Sequence, residues 1–133
     1  MKPFLHAKIS AKKYGGVMED YLPIHDFIDS SKSSYANPQH RAILHSTFGI
    51  FLTEKVFGVI ITNSDGKEVS TRDLAEEHVY QDLGFIPTIK DWLKDLPIED
   101  WMLGRAAMKK RNKAQSFNSI EELSKALEEF KID

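Results

Sequence analysis

Residues that start and stop helices recur along this chain so often that they divide it into a succession of separate helical segments. Pro3 suits a first helical position, and Gly15–Gly16 suit the end of that segment. Asn37–Pro38 pairs an N-cap with a first-turn proline, Ser70 opens another segment that Gly84 closes, and Pro97 ends a further one. Between these marks apolar residues return at helical spacing. Pro3–Lys13 puts Leu5, Ile9 and Lys12 on one side and His6, Ser10 and Lys13 on another. Tyr21–Lys32 has a core stripe of Ile24, Phe27 and Ile28. The segment from Asn37 to about Val56 reads as the longest helix. Its broad apolar face, Ile43, Leu44, Phe48, Phe51, Leu52 and Val56, predicts a place at the centre of the fold.

The period then changes. Val59–Thr62 is rich in β-branched residues, Asn63–Gly66 is a turn, and Lys67–Val69 can return, which predicts a small β-hairpin over about residues 58–69. Helices follow from Ser70 to Leu83, with Asp73 at the capping-box position, and from Thr88 to Leu96. One more turn is expected at Ile98–Leu103, anchored by Trp101. After Gly104 come Arg105, Lys109, Lys110, Arg111 and Lys113 with no acid among them, which reads as a linker over 105–118. Residues 119–133 read as an amphipathic helix, with Ser119 and Glu122 as a capping box and Ile120, Leu123, Leu127 and Phe130 as its apolar stripe. The expected fold is mainly α: a compact helical bundle over 1–104 with one small hairpin, a basic linker and a C-terminal amphipathic helix.

A length of 133 residues suits one ordinary domain, and 41% hydrophobic content is enough for a core. The formal net charge of −2 gives no global pull toward nucleic acid or acidic membranes. There is no cysteine, so disulfides, thiolate zinc sites and a cysteine nucleophile are excluded. No apolar run approaches the ~20 residues of a membrane span, and Met1–Ser10 lacks the apolar core of a signal peptide. The expectation is a cytoplasmic chain with no membrane partner.

With sulfur absent, the histidines carry the chemistry. All five lie in helical segments, each with an acid, base or hydroxyl one turn away. His25 and Asp29 are four apart and share a face, with Lys32 close behind. Asp26 points about 100° away from His25. In the long segment Arg41 and His45 are four apart, whereas His40 and His45 diverge by roughly 140°. His45 sits beside Leu44 and Phe48, which predicts burial. Gly49, one turn on, would let another helix or a ligand come close, or simply ease helix packing. His78 and Asp82 are four apart, with Leu74 and Gln81 on their side and Ala75, Val79 and Leu83 on the neighbouring stripe. Taken singly, each pair reads equally as solvated charge or a satisfied core histidine. Three helices each presenting such a pair suit a first-row divalent ion held by imidazole and carboxylate.

The candidate ligands are therefore His6, His25, Asp29, His45, His78 and Asp82, for zinc, manganese or nickel. Arg41 and Lys32 are candidates to hold phosphate charge, and Asp26 is a further candidate catalytic carboxylate. The order of an upstream His6, a His25–Asp26 doublet and a late His78 or Asp82 loosely resembles HD-type metal phosphohydrolases, although the spacing departs from theirs. A fuller pattern runs His6-Ala7, Ser10-Ala11, Gly15-Gly16, Tyr21-Leu22-Pro23-Ile24-His25, Asp29, Ser31-Lys32, His40-Arg41-Ala42, His45, Gly49-Ile50-Phe51. It continues through Asn63-Ser64-Asp65-Gly66, His78, Asp82-Leu83-Gly84, Ile86-Pro87, Asp91-Trp92 and Trp101-Met102. This is similar to a group of small bacterial and phage proteins of unknown function. The resemblance covers about residues 3–104 and implies a compact helical domain in a bacterial or phage-infected cytoplasm, with no established activity to carry over.

Two function classes stand against each other. One is a metal-dependent hydrolase of a phosphate ester or nucleotide, phosphohydrolase or nuclease-like. It lacks a Gly-rich phosphate loop, a nucleophile elbow and a His-Glu-x-x-His motif. The other is a non-catalytic accessory binding protein whose histidines form a buried network or a ligand pocket. Arg105–Lys113 offers a nucleic-acid contact, but a solvated tether is the stronger reading, since aromatic interleaving is absent. The last helix is expected to dock on its own domain or to make a homo-oligomer.

Overall fold

The computed structural model describes residues 1–107, 124, 125 and 127–129. It divides into two units, Met1–Lys94 and Asp95–Asp133. The fold is mainly α with one small hairpin. Within the first unit, α1 spans Pro3–Tyr14, α2 Leu22–Ile28, α3 Thr47–Phe57, α4 Thr71–Leu83 and α5 Ile89–Leu93. Strands β1 (Ile60–Thr62) and β2 (Glu68–Ser70) pair antiparallel, with Ile60 opposite Ser70, Ile61 opposite Val69 and Thr62 opposite Glu68. The core gathers Tyr21, Ile24 and Ile28 of the α2 region with Leu74, Ala75 and Val79 of α4, joined by Ala7, Leu44, Ile50 and Val69.

The hairpin turn is tied to the end of α1 by one buried amide. Asn63 Oδ1 accepts from the backbone of Asp65 and Lys67, while its Nδ2 donates to the Tyr14 carbonyl and to the Tyr21 hydroxyl. All four polar demands of that side chain are met, as burial requires.

The long helix expected from Asn37 to Val56 does not form. Pro38–Ala42 makes a 3-10 turn, the chain turns at Leu44–Ser46, and α3 starts afresh at Thr47. Ser46 is extended there, and its hydroxyl accepts from the Gly49 N–H at 3.1 Å, so it is a true N-cap. Gly49 makes the break tight, because an added Cβ would lie 1.8 Å from the Leu44 carbonyl oxygen. The space that glycine leaves is therefore filled by the chain's own backbone, not by another helix or a ligand. With the helix cut, residues 43–56 share no common face. Ile43 (60% exposed), Phe48, Phe51 and Val56 lie at the surface; Leu44 is buried as expected, and Ile50 and Thr53 are buried in place of the others.

Helix α1 is oriented with its polar side inward. His6 and Ala7 are fully buried and Ser10 nearly so, whereas Leu5 and Ile9 are 39% and 40% exposed. The helix expected over Tyr21–Lys32 stops at Ile28 and continues as a 3-10 turn over Ser30–Ser33. Hydroxyls compete with the helix here: Ser31 Oγ donates to the His40 carbonyl at 2.9 Å and Ser33 Oγ to that of Ser30. Helix α5 is shorter than the Thr88–Leu96 reading, but its start is the capping box of Thr88 and Asp91.

In the second unit a 3-10 turn spans Asp100–Leu103, and Trp101 is exposed rather than an anchor. Residues 108–118 of the expected linker lie outside the described residues. So does the expected C-terminal helix, apart from residues 124, 125 and 127–129. Among the described residues no helix is long and apolar enough to cross a membrane.

Candidate metal centre

Polar groups from four stretches of chain meet inside the first unit. His6 comes from α1, His25 and Asp29 from α2 and its C-cap, His45 from the turn before α3, and His78 and Asp82 from α4. The four imidazoles are 0–1% exposed. Ring nitrogens of His6 and His78 and carboxylate oxygens of Asp29 and Asp82 all lie within 4.8 Å of one another. His78 Nε2 is 3.3 Å from Asp29 Oδ1 and 3.2 Å from Asp82 Oδ2. His6 Nε2 is 3.1 Å from Asp82 Oδ1. His45 Nε2 is 2.9 Å from Asp82 Oδ2 and 3.4 Å from Asp29 Oδ1. The His6 and His78 rings stack with centroids 3.8 Å apart.

These spacings match a coordination shell. Bonds of about 2.1 Å to nitrogen and oxygen place neighbouring donors roughly 3.0 Å apart in an octahedron and roughly 3.4 Å apart in a tetrahedron. The outward nitrogens tell the same story. Gln81 Oε1 can only accept, so the His6 Nδ1 that approaches it at 2.6 Å carries a proton. His6 Nε2 and the N-terminal ammonium both reach Asp82 Oδ1 at 3.1 Å, and imidazole with carboxylate is a donor set that fits a first-row divalent ion.

Electrostatics follow from the packing. Burial pushes His25 down to about 3, and the neighbouring His78 and His6 act in the same direction. Burial likewise lowers His45. For His78 burial opposes the charged form, but hydrogen bonds to Asp29 and Asp82 outweigh it and hold the ring above its ordinary value. For Asp82 burial favours the neutral acid, yet contacts with His45, His6 and His78 hold it far below the usual carboxylate range. Asp29 moves the same way, its burial outweighed chiefly by His78. His45 Nδ1 is buried with no hydrogen-bond partner.

Not every helical pair touches directly. His78 and Asp82 do, whereas His25 and Asp29 are joined through His78, on its opposite ring nitrogens. His25 Nε2 meets Ser10 Oγ at 2.8 Å. His40 meets the cluster only through its ring, edge-on to His45 with centroids 6.0 Å apart, and its Nδ1 is 3.0 Å from Ser31 Oγ.

Beside the cluster opens a cleft of about 470 Å³ lined by Met1, Lys2, Pro3, Asp26, Asp29, Ser30, Lys32, Ser33, His40 and Arg41. Asp29, whose side chain is 12% exposed, belongs to both cluster and cleft. Asp26, Lys32 and Arg41 line the cleft and not the cluster, and Arg41 Nε is buried there without a hydrogen-bond partner. Sequence reasoning did not select Ser10, Gln81 or Lys2 as site residues. Ser10 lies one turn after His6 and Gln81 three residues after His78, so helical spacing held a signal for both. Lys2 had none.

No curated protein and no solved structure matches this chain. Residues 1–102 match the family described as Domain of unknown function (DUF6915), and the chain therefore belongs to that family.

Proposed function

We propose that this protein is a metal-dependent hydrolase of phosphate esters, with one zinc, manganese or nickel ion held by His6, Asp29, His78 and Asp82. The observation that carries the reading is the convergence of two carboxylates and the imidazoles of His6 and His78, with donor atoms within 4.8 Å of one another, beside a cleft that shares Asp29 and carries Lys2, Lys32 and Arg41. An ion bound there would polarise a phosphoryl oxygen and lower the pKa of a bound water. Lys2, Lys32 and Arg41 would hold the phosphate charge, Arg41 through its planar fork and the lysines as point charges. The unpartnered Arg41 Nε is a donor already placed for an anion. Asp26, exposed on the cleft wall, is the carboxylate outside the cluster able to accept a proton.

Elemental analysis of the purified protein, thermal unfolding with added zinc, manganese or nickel, and hydrolysis of p-nitrophenyl phosphate and nucleotides test this. The expected results are one ion per chain, a metal-dependent rise in melting temperature that Asp82→Asn abolishes, and a raised KM in Arg41→Ala. Absence of bound metal together with no thermal response to any of the three would refute it. A second reading has its own support: Ser10, His25, His78 and Asp29 are linked in a continuous hydrogen-bonded chain. On that reading the cluster is a buried ionic network in a binding protein, and the metal-free form is fully stable.

A further inference from the structure

We propose that Ser10 and His25 are positioning residues that fix the ring tautomer of His78, so that Nε2 is the only nitrogen His78 can offer to an ion. The inference rests on the metal reading above and reassigns His25 from ligand to support. The argument is a count of protons. Ser10 Oγ lies 3.0 Å from the His6 carbonyl oxygen and 2.8 Å from His25 Nε2. A carbonyl only accepts, so the single hydroxyl proton goes to His6. Both contacts are then hydrogen bonds only if His25 Nε2–H donates to Ser10. His25 is 1% exposed, and neither of its ring nitrogens is bonded to a carboxylate, so it is neutral and its Nδ1 is bare. His25 Nδ1 is 2.9 Å from His78 Nδ1, and that bond needs the proton on His78.

His78 Nδ1–H is thereby committed, and Nε2 faces Asp29 and Asp82. Any proton on Nε2 leaves when an ion takes its place, while the one on Nδ1 stays. Metal-ligating imidazoles are commonly held this way through the second ring nitrogen, and removing the support weakens binding by about 10–100-fold. Gln81 holds His6 Nδ1 in the same sense.

The test is a long-range 15N–1H spectrum of the histidine rings in metal-free protein, joined to zinc titration against a chelating dye. The expected spectrum has His25 protonated at Nε2 only and His78 protonated at Nδ1. His25→Leu and Ser10→Ala are expected to lose about 10–100-fold in zinc affinity. His25→Asn, whose amide oxygen can accept from His78, is expected to stay within a few fold of wild type. A proton on His25 Nδ1, or zinc binding as tight in His25→Leu as in wild type, would overturn the proposal. So would equal losses in His25→Asn and His25→Leu, which would make His25 a ligand. If wild type takes up no zinc, the metal reading fails instead, and the ring spectrum still decides the tautomer chain.

Discussion

Acid should unfold the metal-free protein well before its carboxylates titrate, and His25 should be the main cause. Burial lowers its pKa from 6.5 to about 3. Between those values the unfolded chain binds a proton that the native state refuses. Stability is therefore complete above about pH 6.5 and is lost progressively as pH falls toward 3. Each pKa unit corresponds to about 1.4 kcal/mol. At about pH 4.5, two units below the unfolded value, His25 alone removes about 3 kcal/mol, a large share of the ~5–15 kcal/mol typical of a domain. Two other histidines share this window, so His25→Asn isolates the part due to His25. His45 and His40 are also lowered by burial and act in the same direction. His78 is raised, so its contribution is full below 6.5 and is lost only as pH rises through its folded value. Asp29 and Asp82 are lowered from 3.8, so theirs begins to be lost only below that pH. The assay is urea unfolding, in a chelating buffer, at intervals between about pH 7 and pH 4.5. His25→Asn should reduce the slope by about one proton, roughly 1.4 kcal/mol per pH unit. A wild-type profile flat across this window, or an unchanged slope in His25→Asn, would refute the reasoning.

Two further outcomes follow from the packing. Gly49→Ala should cost about 3 kcal/mol or more in chemical denaturation, because the new methyl meets the Leu44 backbone rather than a movable side chain; a loss under about 1 kcal/mol would show that the break before α3 can relax. Ile9→Gln should shift stability by no more than about 0.5 kcal/mol, since that side of α1 faces outward, whereas a melting curve showing a core-sized loss would mean the helix is turned the other way.

Much of the element list was legible because capping chemistry is local. Ser70 before α4, the start of α5 at Thr88 and the Asn63–Gly66 turn all follow from side chains bonding to nearby backbone, although the Asp91 half of the Thr88 box was not read. Helix α3 was misread because its true cap, Ser46, lies inside a stretch whose apolar spacing looks continuous. Only the Gly49–Leu44 contact, a matter of three-dimensional proximity, reveals the break. The inward face of α1 was also hidden. Periodicity separates Leu5 and Ile9 from His6 and Ser10 without saying which side is inward; His6 and Ser10 take that place, where each finds bonded partners from distant chain. For the candidate site, the i,i+4 spacing identified His78 with Asp82. It also brought out His25 and Asp29, though not that they meet through His78. The cleft combines residues 1–3, 26–33, 40 and 41, and no sequence period links those stretches.

The cluster draws on residue 6 at one end of the first unit and residue 82 near the other. No shorter fragment and no single hairpin of helices contains it. Its assembly thus reports on the folding of that whole span: a copy cut between residues 6 and 82 would present isolated imidazoles, and only a first unit closed from α1 to α4 would complete the ring.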